Sequence, residues 1–307
     1  MIEVIKCGVL TTLQDLGRPG FRYLGISHAG ALDTVALSIA NRLVNNPIHY
    51  VGVEITLGPV EFLFTINTSI ALTGADFESS LDNMPVWPGW RIPVRAGQRL
   101  KLNAAKDGMR AYLAVSGGIN VELVLGSRST DLKSGFGGWQ GRALQVGDRI
   151  PLACSDMLTK RIGLKLPEWT SKIRAIPGPE YNQFAEQEQQ QFWRTEWKIT
   201  PESNRMGYRL LGKQLLHNEQ LDKLSHGVIP GIVQVPPNGQ PIVLLADAQT
   251  TGGYPRIAVV IKADLWKIAQ ARLGASLRFE LCNHKQAQIA HKELALYMNK
   301  IVCGLGL

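Results

Sequence analysis

Hydrophobic positions in this chain fall mostly into short runs that end at Gly, Pro, Asn or Asp. Val60 to Ile66, Ser69 to Thr73, Met109 to Val115, Ile173 to Ile176, Ile229 to Val235, Ile242 to Leu245 and Arg256 to Ile261 are of this kind, rich in β-branched or aromatic residues. Strand-length runs punctuated by turn residues predict a mainly β chain of barrels or sandwiches, not βαβ units. One phrase recurs at strand starts: Ala96-Gly-Gln-Arg-Leu-Lys-Leu, Val146-Gly-Asp-Arg-Ile-Pro-Leu and Leu273-Gly-Ala-Ser-Leu-Arg-Phe. A glycine turn leading into alternating apolar residues is a compact entry to a half-buried strand. Its presence in both halves suggests two related domains.

Helical periodicity is confined to a few places. From Leu32 to Asn46, Asp33 is placed to cap, Leu32, Ala36, Ile39 and Leu43 share a face, and Asn45-Asn46-Pro47 ends the run. A second helix is expected from an Asp264 cap to Gly274, and a third over Gln286 to Ile301, where Ala290, Leu294, Tyr297 and Ile301 align. Glu186 to Gln191 reads as a solvated helix face. The polar stretch Cys154 to Ser171 interrupts the strand rhythm. The expected organisation is therefore an N-terminal domain over 1–160, a second over 170–285, and a C-terminal helix and tail over 286–307.

Composition narrows the class without naming a function. The 307 residues, 45% hydrophobic and 19% charged, suffice for two cored domains. No run approaches the ~20 apolar residues of a membrane span, and the first residues lack the basic and apolar regions of a secretion signal. A cytoplasmic protein without membrane association is expected. Cys7, Cys154, Cys282 and Cys303 are scattered without metal-ligand spacing, so they are expected to be reduced, buried as small hydrophobes, and not part of a metal site. The net charge of +8 suits an acidic partner or an anionic ligand. Because Lys and Arg are spread singly, with no basic run and no aromatic-interleaved pattern, nucleic acid is not an expected partner.

Four polar stretches carry candidate chemistry. Near the start, Thr11-Thr-Leu-Gln-Asp-Leu-Gly-Arg-Pro-Gly-Phe is followed by Gly25-Ile-Ser-His-Ala-Gly-Ala-Leu-Asp. Arg18 beside Pro19-Gly20 sits on a stiff turn suited to an anion. His28 and Asp33 bracket a helix start whose N–H groups could hold a carboxylate or phosphate, unless Asp33 is simply the cap and His28 a satisfied loop residue. The glycine-rich stretch Thr130 to Arg142 fits either an anion-binding nest or a tight barrel corner, with Arg128 and Asp131 as its candidate side chains.

In Ser203-Asn-Arg-Met-Gly-Tyr-Arg-Leu-Leu-Gly-Lys-Gln, Gly207 to Lys213 has GxxxxGK spacing. Gln214 stands where a phosphate loop needs Ser or Thr, and no apolar strand precedes it, so a phosphate loop is not expected. Arg205 and Arg209, four residues apart, form either a solvated face or an anion clamp. The fourth stretch, Leu224 to Arg256, delivers His226, Gln234, Asn238, Asp247, Gln249, Thr251, Gly252, Gly253 and Arg256 at strand ends, where sites are usually built. Ordinary turn chemistry explains its glycines equally well. No GxSxG, HExxH or Met-Lys-Met biotin-attachment motif occurs.

Thr12-Leu-Gln-Asp-Leu-Gly-Arg18, Gly30-Ala-Leu-Asp33 with its helix to Asn46, Val53-Glu-Ile-Thr-Leu-Gly-Pro59, Ala71-Leu-Thr-Gly-Ala75, Ser203-Asn-Arg-Met-Gly-Tyr-Arg-Leu210 and Ser225 to Arg256 together resemble one family over nearly the whole chain. It is variously called biotin-dependent carboxyltransferase, allophanate hydrolase subunit 2 and the C subunit of 5-oxoprolinase. His28 and its neighbours look like the 5-oxoprolinase branch. The resemblance implies two cyclophilin-like β-barrel domains with a cleft between them. It implies the conversion of 5-oxo-L-proline, ATP and water to L-glutamate, ADP and phosphate, carried by a complex with subunits A and B, of which the latter, similar to a kinase inhibitor, is the nearest partner. ATP and its magnesium ion would be bound at the level of the complex, and no biotin would be attached to this chain. For that chemistry Arg205, Arg209, Arg256 and the Gly252-Gly253 amides are the expected anion holders, with His226 or Asp247 handling a proton. Two rival implications are a carboxyltransferase acting on urea or a similar amide with carboxybiotin from another protein, and a regulator that antagonises a kinase inhibitor.

Overall fold

All seven of the hydrophobic runs form or contain strands in the computed structural model, which describes residues 1–154, 156–216 and 224–306. The chain divides into two compact units. One comprises Met1–Arg18, Ala29–Glu168 and Tyr297–Leu307, the other Pro19–His28 and Trp169–Leu296. The mainly β expectation holds in both.

In the first unit, strands lie in two six-stranded sheets. One sheet runs Arg149–Ile150, Ile2–Lys6, Val60–Phe64, Arg99–Leu102, Ser79–Leu81, Met84–Val86. The other runs Ile162–Gly163, Trp90–Val94, Thr68–Asp76, Asp107–Val115, Gly52–Thr56, Leu10–Gln14. Alternation aims Ile2, Val4, Phe62, Phe64, Leu100 and Leu102 of the first sheet and Val53, Ile55, Ile70, Leu72, Leu113 and Val115 of the second into a single core. Helix α1 (Thr34–Leu43) covers the second sheet, packing Ile39, Ala40 and Leu43 on Ala71 and Ala114.

The second unit is a closed barrel in the order Lys172–Pro177, Arg256–Val260, Ile232–Gln234, Ile242–Leu244, Gly207–Leu211, Glu196–Ile199, Ser276–Leu281. Every pairing is antiparallel except the one that closes the ring, between Lys172–Pro177 and Ser276–Leu281. Closure removes the exposed strand edges that an open sheet would leave. Helix α2 (Glu186–Arg194) plugs this barrel with Phe192, stacked on Phe279 at 4.8 Å. A separate two-stranded ribbon, His226–Gly227 against Thr251–Gly252, carries the polar loops.

Two expectations, on Asp264 and on the cysteines, are corrected, and the compact units are not contiguous blocks: residues 19–28 group with the second unit, where Arg22 donates to the carbonyls of Val228 and Gln249. The division also falls inside the C-terminal helix α4 (His284–Leu305): Ala290 and Leu294 pack with Ile261 and Cys282, whereas Tyr297 and Ile301 pack with Ile39 and Leu43. Asp264 does not cap helix α3 (Leu265–Gln270); its carboxylate is held by the guanidinium and backbone N–H of Arg174. The four cysteines are free thiols, but only Cys282 is buried; Cys7 is half-buried, and Cys154 and Cys303 are exposed. Among the described residues no helix is long and apolar enough to cross a membrane.

Candidate functional site

The candidate residues of the first unit are largely turned inward. Asp15, absent from the sequence candidates, organises them. Its carboxylate accepts hydrogen bonds from the Gly17 N–H (2.8 Å), the Arg128 N–H (2.6 Å) and the hydroxyls of Ser127 (2.7 Å) and Ser129 (2.5 Å). Arg18 is fully buried, donates to the Ser129 carbonyl at 2.5 Å, and lays its guanidinium 4.7 Å from the centre of the Phe136 ring. Gly137 lies so close that a Cβ there would meet the Ser129 carbonyl and the Arg18 guanidinium. The stiff Arg18-Pro19-Gly20 turn thus points the arginine into the protein, not toward an outside anion.

Asp131 is likewise buried and accepts from the Lys133 and Ser134 N–H groups, while the Gly135 and Gly141 N–H groups donate to the Asp131 and Gly137 carbonyls. The glycine-rich loop spends these donors on itself, as a packed corner does. Arg128 donates to the Val121 carbonyl from a half-buried position. Asp33 is the N-cap of α1, accepting from the Ala36 N–H at 2.8 Å, and its own N–H donates to the Tyr112 hydroxyl. That hydroxyl donates to Glu54 at 2.8 Å. Burial first, then the nearby Glu54 and Asp33 charges, holds the Tyr112 phenol well above its ordinary pKa. His28 is half-buried on the segment that belongs to the second unit. A cavity of about 520 Å3 in the first unit, lined by Met84, Trp87, Trp90 and Arg161 among others, contains none of the candidates.

In the second unit the polar residues separate into two groups. The first is locked in ion pairs. Arg205 donates through Nε and Nη2 to both carboxylate oxygens of Asp247, at 2.8 and 3.0 Å, with both side chains buried. Arg256 does the same to Glu180, whose carboxylate also accepts the Arg256 backbone N–H. Each guanidinium is already satisfied in the bidentate geometry that suits it. Arg209 does not join Arg205 in a clamp: Gly207–Leu211 is a strand, so the two arginines share no helical face, and Arg209 is exposed. The strand also explains why the GxxxxGK spacing makes no phosphate cradle, since it pairs on both sides with barrel neighbours.

The second group surrounds the His226–Gly227/Thr251–Gly252 ribbon. His226 pairs directly across from Gly252, which places its ring on the same ribbon face as the hydrogen atoms of Gly252 that stand in for a side chain. On that face lies the amide of Gln234, itself 1% exposed; a Cβ built on Gly252 would come within 2.8 Å of its nitrogen. Arg22, which carries no sequence signal, reaches the end of the ribbon and donates through Nη2 to the carbonyls of Val228 (2.5 Å) and Gln249 (2.8 Å).

Buried Arg22 Nη1, His226 Nε2 and Gln234 Nε2 have no hydrogen-bond partner among the described residues. Gln249 contributes its backbone carbonyl here. Asn238 uses its side-chain oxygen to accept the Gln240 N–H in an exposed turn, Thr251 is exposed, and Gly253 is half-buried beside the ribbon. The Arg205–Asp247 pair sits immediately before this loop and holds its start, because the Asp247 N–H also donates to the Arg205 carbonyl. Among the described residues no group of three or more His, Cys, Asp and Glu side chains is arranged to hold a metal ion. The ribbon therefore gathers unspent polar atoms, most of them donors, around a face where a glycine makes room for the Gln234 amide.

The comparisons converge on one family. A model of the carboxyltransferase domain, subdomains A and B, matches residues 24–281. The C subunit of 5-oxoprolinase from Escherichia coli is 50% identical over 303 residues, covering 98% of this chain and 97% of that protein. Its counterpart of the same name from Haemophilus influenzae is 44% identical, again over 98% of this chain and 97% of its own length. Among solved structures, the K. lactis urea amidolyase superposes with a TM-score of 0.90 at 28% identity, covering 98% of this chain but 20% of that much longer one.

Proposed function

Because the chain belongs to the carboxyltransferase subdomain A and B family, we propose that it serves as the C component of an ATP-dependent 5-oxoprolinase, opening 5-oxo-L-proline to L-glutamate. The observation that carries this reading is the end-to-end match to two 5-oxoprolinase C subunits. A lactam carbonyl is a weak electrophile, so its hydrolysis near neutral pH needs activation and stabilisation of the charge that develops on its oxygen. In this proposal ATP and magnesium belong to the assembled complex with subunits A and B in the cytoplasm. The GxxxxGK stretch lies on a strand paired on both sides, so nucleotide handling is not assigned to it. What this chain contributes is the ribbon site: His226 exchanges a proton through Nε2, and the Arg205–Asp247 pair holds the loop that presents Gln249 to Gly253.

The test is reconstitution. Purified subunits A and B with this chain are expected to release glutamate from 5-oxo-L-proline in an ATP-dependent manner, and omission of this chain is expected to abolish release. Unchanged release without it removes the proposal. A second reading, carboxyl transfer from carboxybiotin on another protein, is favoured by the close superposition on the urea amidolyase. It predicts a bicarbonate requirement and inhibition by avidin, neither of which the first reading allows. A chain that binds the kinase-inhibitor-like subunit yet adds nothing to turnover would instead be a regulator.

A further inference from the structure

We infer that Arg22, Gln234 and His226 form a receptor for a small carboxylate that bears a neighbouring N–H, with Gly252 leaving room for the Gln234 amide. In the proposed reaction that ligand is 5-oxo-L-proline, and this part of the inference rests on the 5-oxoprolinase reading.

Three arginines of this unit are already spent. Arg205, Arg256 and Arg174 are each engaged by a carboxylate. Arg22 has two carbonyl acceptors for Nη2, no ion pair with any described residue, and a buried Nη1 without an acceptor. Burial lowers its pKa from the ordinary arginine value, but an arginine remains charged near neutrality. A partly buried cation held in place by two carbonyls and lacking an anion is preorganised for one.

Gln234 adds a second donor. Its side chain is almost wholly inaccessible, and its Nε2 has no acceptor. Burying an amide in this way is costly unless a ligand completes the hydrogen bond. His226 adds a group of the opposite kind. Its Nδ1 lies 3.3 Å from the Leu224 carbonyl, which favours the tautomer with the proton on Nδ1 and leaves Nε2 as an acceptor. Two donors for a carboxylate and one acceptor for an N–H match the polar groups flanking the α-carbon of a cyclic amino-acid lactam. A Cβ at Gly252 would come within 2.8 Å of the Gln234 amide nitrogen, so glycine there lets that amide keep its position.

The experiment measures the affinity of the full chain, and the KM and kcat of the reconstituted complex, with three probes: 5-oxo-L-proline, 2-pyrrolidinone, which lacks the carboxylate, and cyclopentanecarboxylate, which lacks the N–H. The expected order is 5-oxo-L-proline tightest and both analogues weaker by about tenfold or more. Arg22→Met is expected to weaken 5-oxo-L-proline by about 100-fold and Gln234→Leu by about tenfold, each in KM more than in kcat. Gly252→Ala should match Gln234→Leu, and the double variant should be no worse than either, since both act on one amide. Because Arg22→Met could dislodge the 19–28 segment, the Gln234 and Gly252 pair decides independently. Normal KM in Gln234→Leu and Gly252→Ala complexes that still turn over would overturn the receptor while leaving the 5-oxoprolinase reading intact. Tight, variant-sensitive binding of 5-oxo-L-proline by a chain that supports no glutamate release would uphold the receptor and remove that reading.

Discussion

Replacing Asp247 by Ala measures how far the loop architecture of the second unit depends on one ion pair. The carboxylate accepts two hydrogen bonds from the Arg205 guanidinium, at 2.8 and 3.0 Å, and Arg205 is 4% exposed. Removing it strands a buried cation, a change that costs roughly 3–5 kcal/mol. In a unit of this size each kcal/mol lowers the thermal midpoint by about 2–4 °C, so a fall of roughly 6–20 °C is expected. Arg205→Ala should cost a similar amount by stranding the carboxylate. The double variant Arg205→Met/Asp247→Leu should recover most of the loss, since an apolar pair of similar volume replaces a buried ion pair at little or no cost. Urea denaturation gives the coupling energy. Hydrogen exchange over Gly207–Leu211 and Ile242–Leu244, against Thr68–Asp76 in the first unit, shows that the loss is local. A loss under about 1 kcal/mol in Asp247→Ala, or a double variant as unstable as the two singles combined, would refute the assignment. The double variant also separates holding from chemistry: if it is stable but no longer supports glutamate release, the charges themselves take part in the reaction.

Two other groups give sharp outcomes. Tyr112→Phe removes the hydroxyl that donates to Glu54 and accepts the Asp33 N–H, leaving two buried groups short of partners; a loss of about 2–4 kcal/mol in urea denaturation is expected, and a loss under about 0.5 kcal/mol would contradict it. The Arg142 guanidinium, through two hydrogen bonds, holds the Asp148 carboxylate down from 3.8 to about 2. A depressed carboxylate contributes stability that is present above the unfolded value near 4 and lost as pH falls through about 2. With part of the guanidinium in water, the contribution is about 1–2 kcal/mol. The stability gap between the natural protein and Asp148→Asn should therefore be full at about pH 5 and closed near pH 2; a gap independent of pH would be inconsistent with the pair.

The strands were legible because their signal is local. Turn residues bounding β-branched runs determine where a strand can start and stop, and the Asp33 cap follows from a side chain three residues from its donor. The candidate site was legible only as a list of polar residues, and the list could not say which were spent. Arg205 and Asp247 each look like free chemistry until barrel closure brings together groups 42 residues apart. Arg256 looks free until Glu180, 76 residues away, meets it. Arg18 looks presented by its turn, but the Asp15 network folds that turn inward. Arg22 failed in the opposite sense. Nothing in Phe21-Arg22-Tyr23-Leu24 announces a ligand-binding arginine, and the carbonyls that hold it are 206 and 227 residues further on.

These two failures have one cause, which bears on where the chemistry lies. A buried guanidinium must be balanced, and in the second unit Arg174, Arg205 and Arg256 are balanced by the carboxylates of Asp264, Asp247 and Glu180. Arg22, like Arg91, is held by neutral carbonyls, and it lies at the end of the ribbon that also carries His226. Gly252 supports the same conclusion from the steric side. Its backbone does not need glycine for a left-handed conformation, since no positive φ occurs there, yet a Cβ would crowd the Gln234 amide, whose nitrogen has no partner among the described residues. The space over Gly252 is taken by the Gln234 amide, and Arg22 holds the end of the same ribbon, so the two donors that the proposed carboxylate would complete are both fixed by this ribbon.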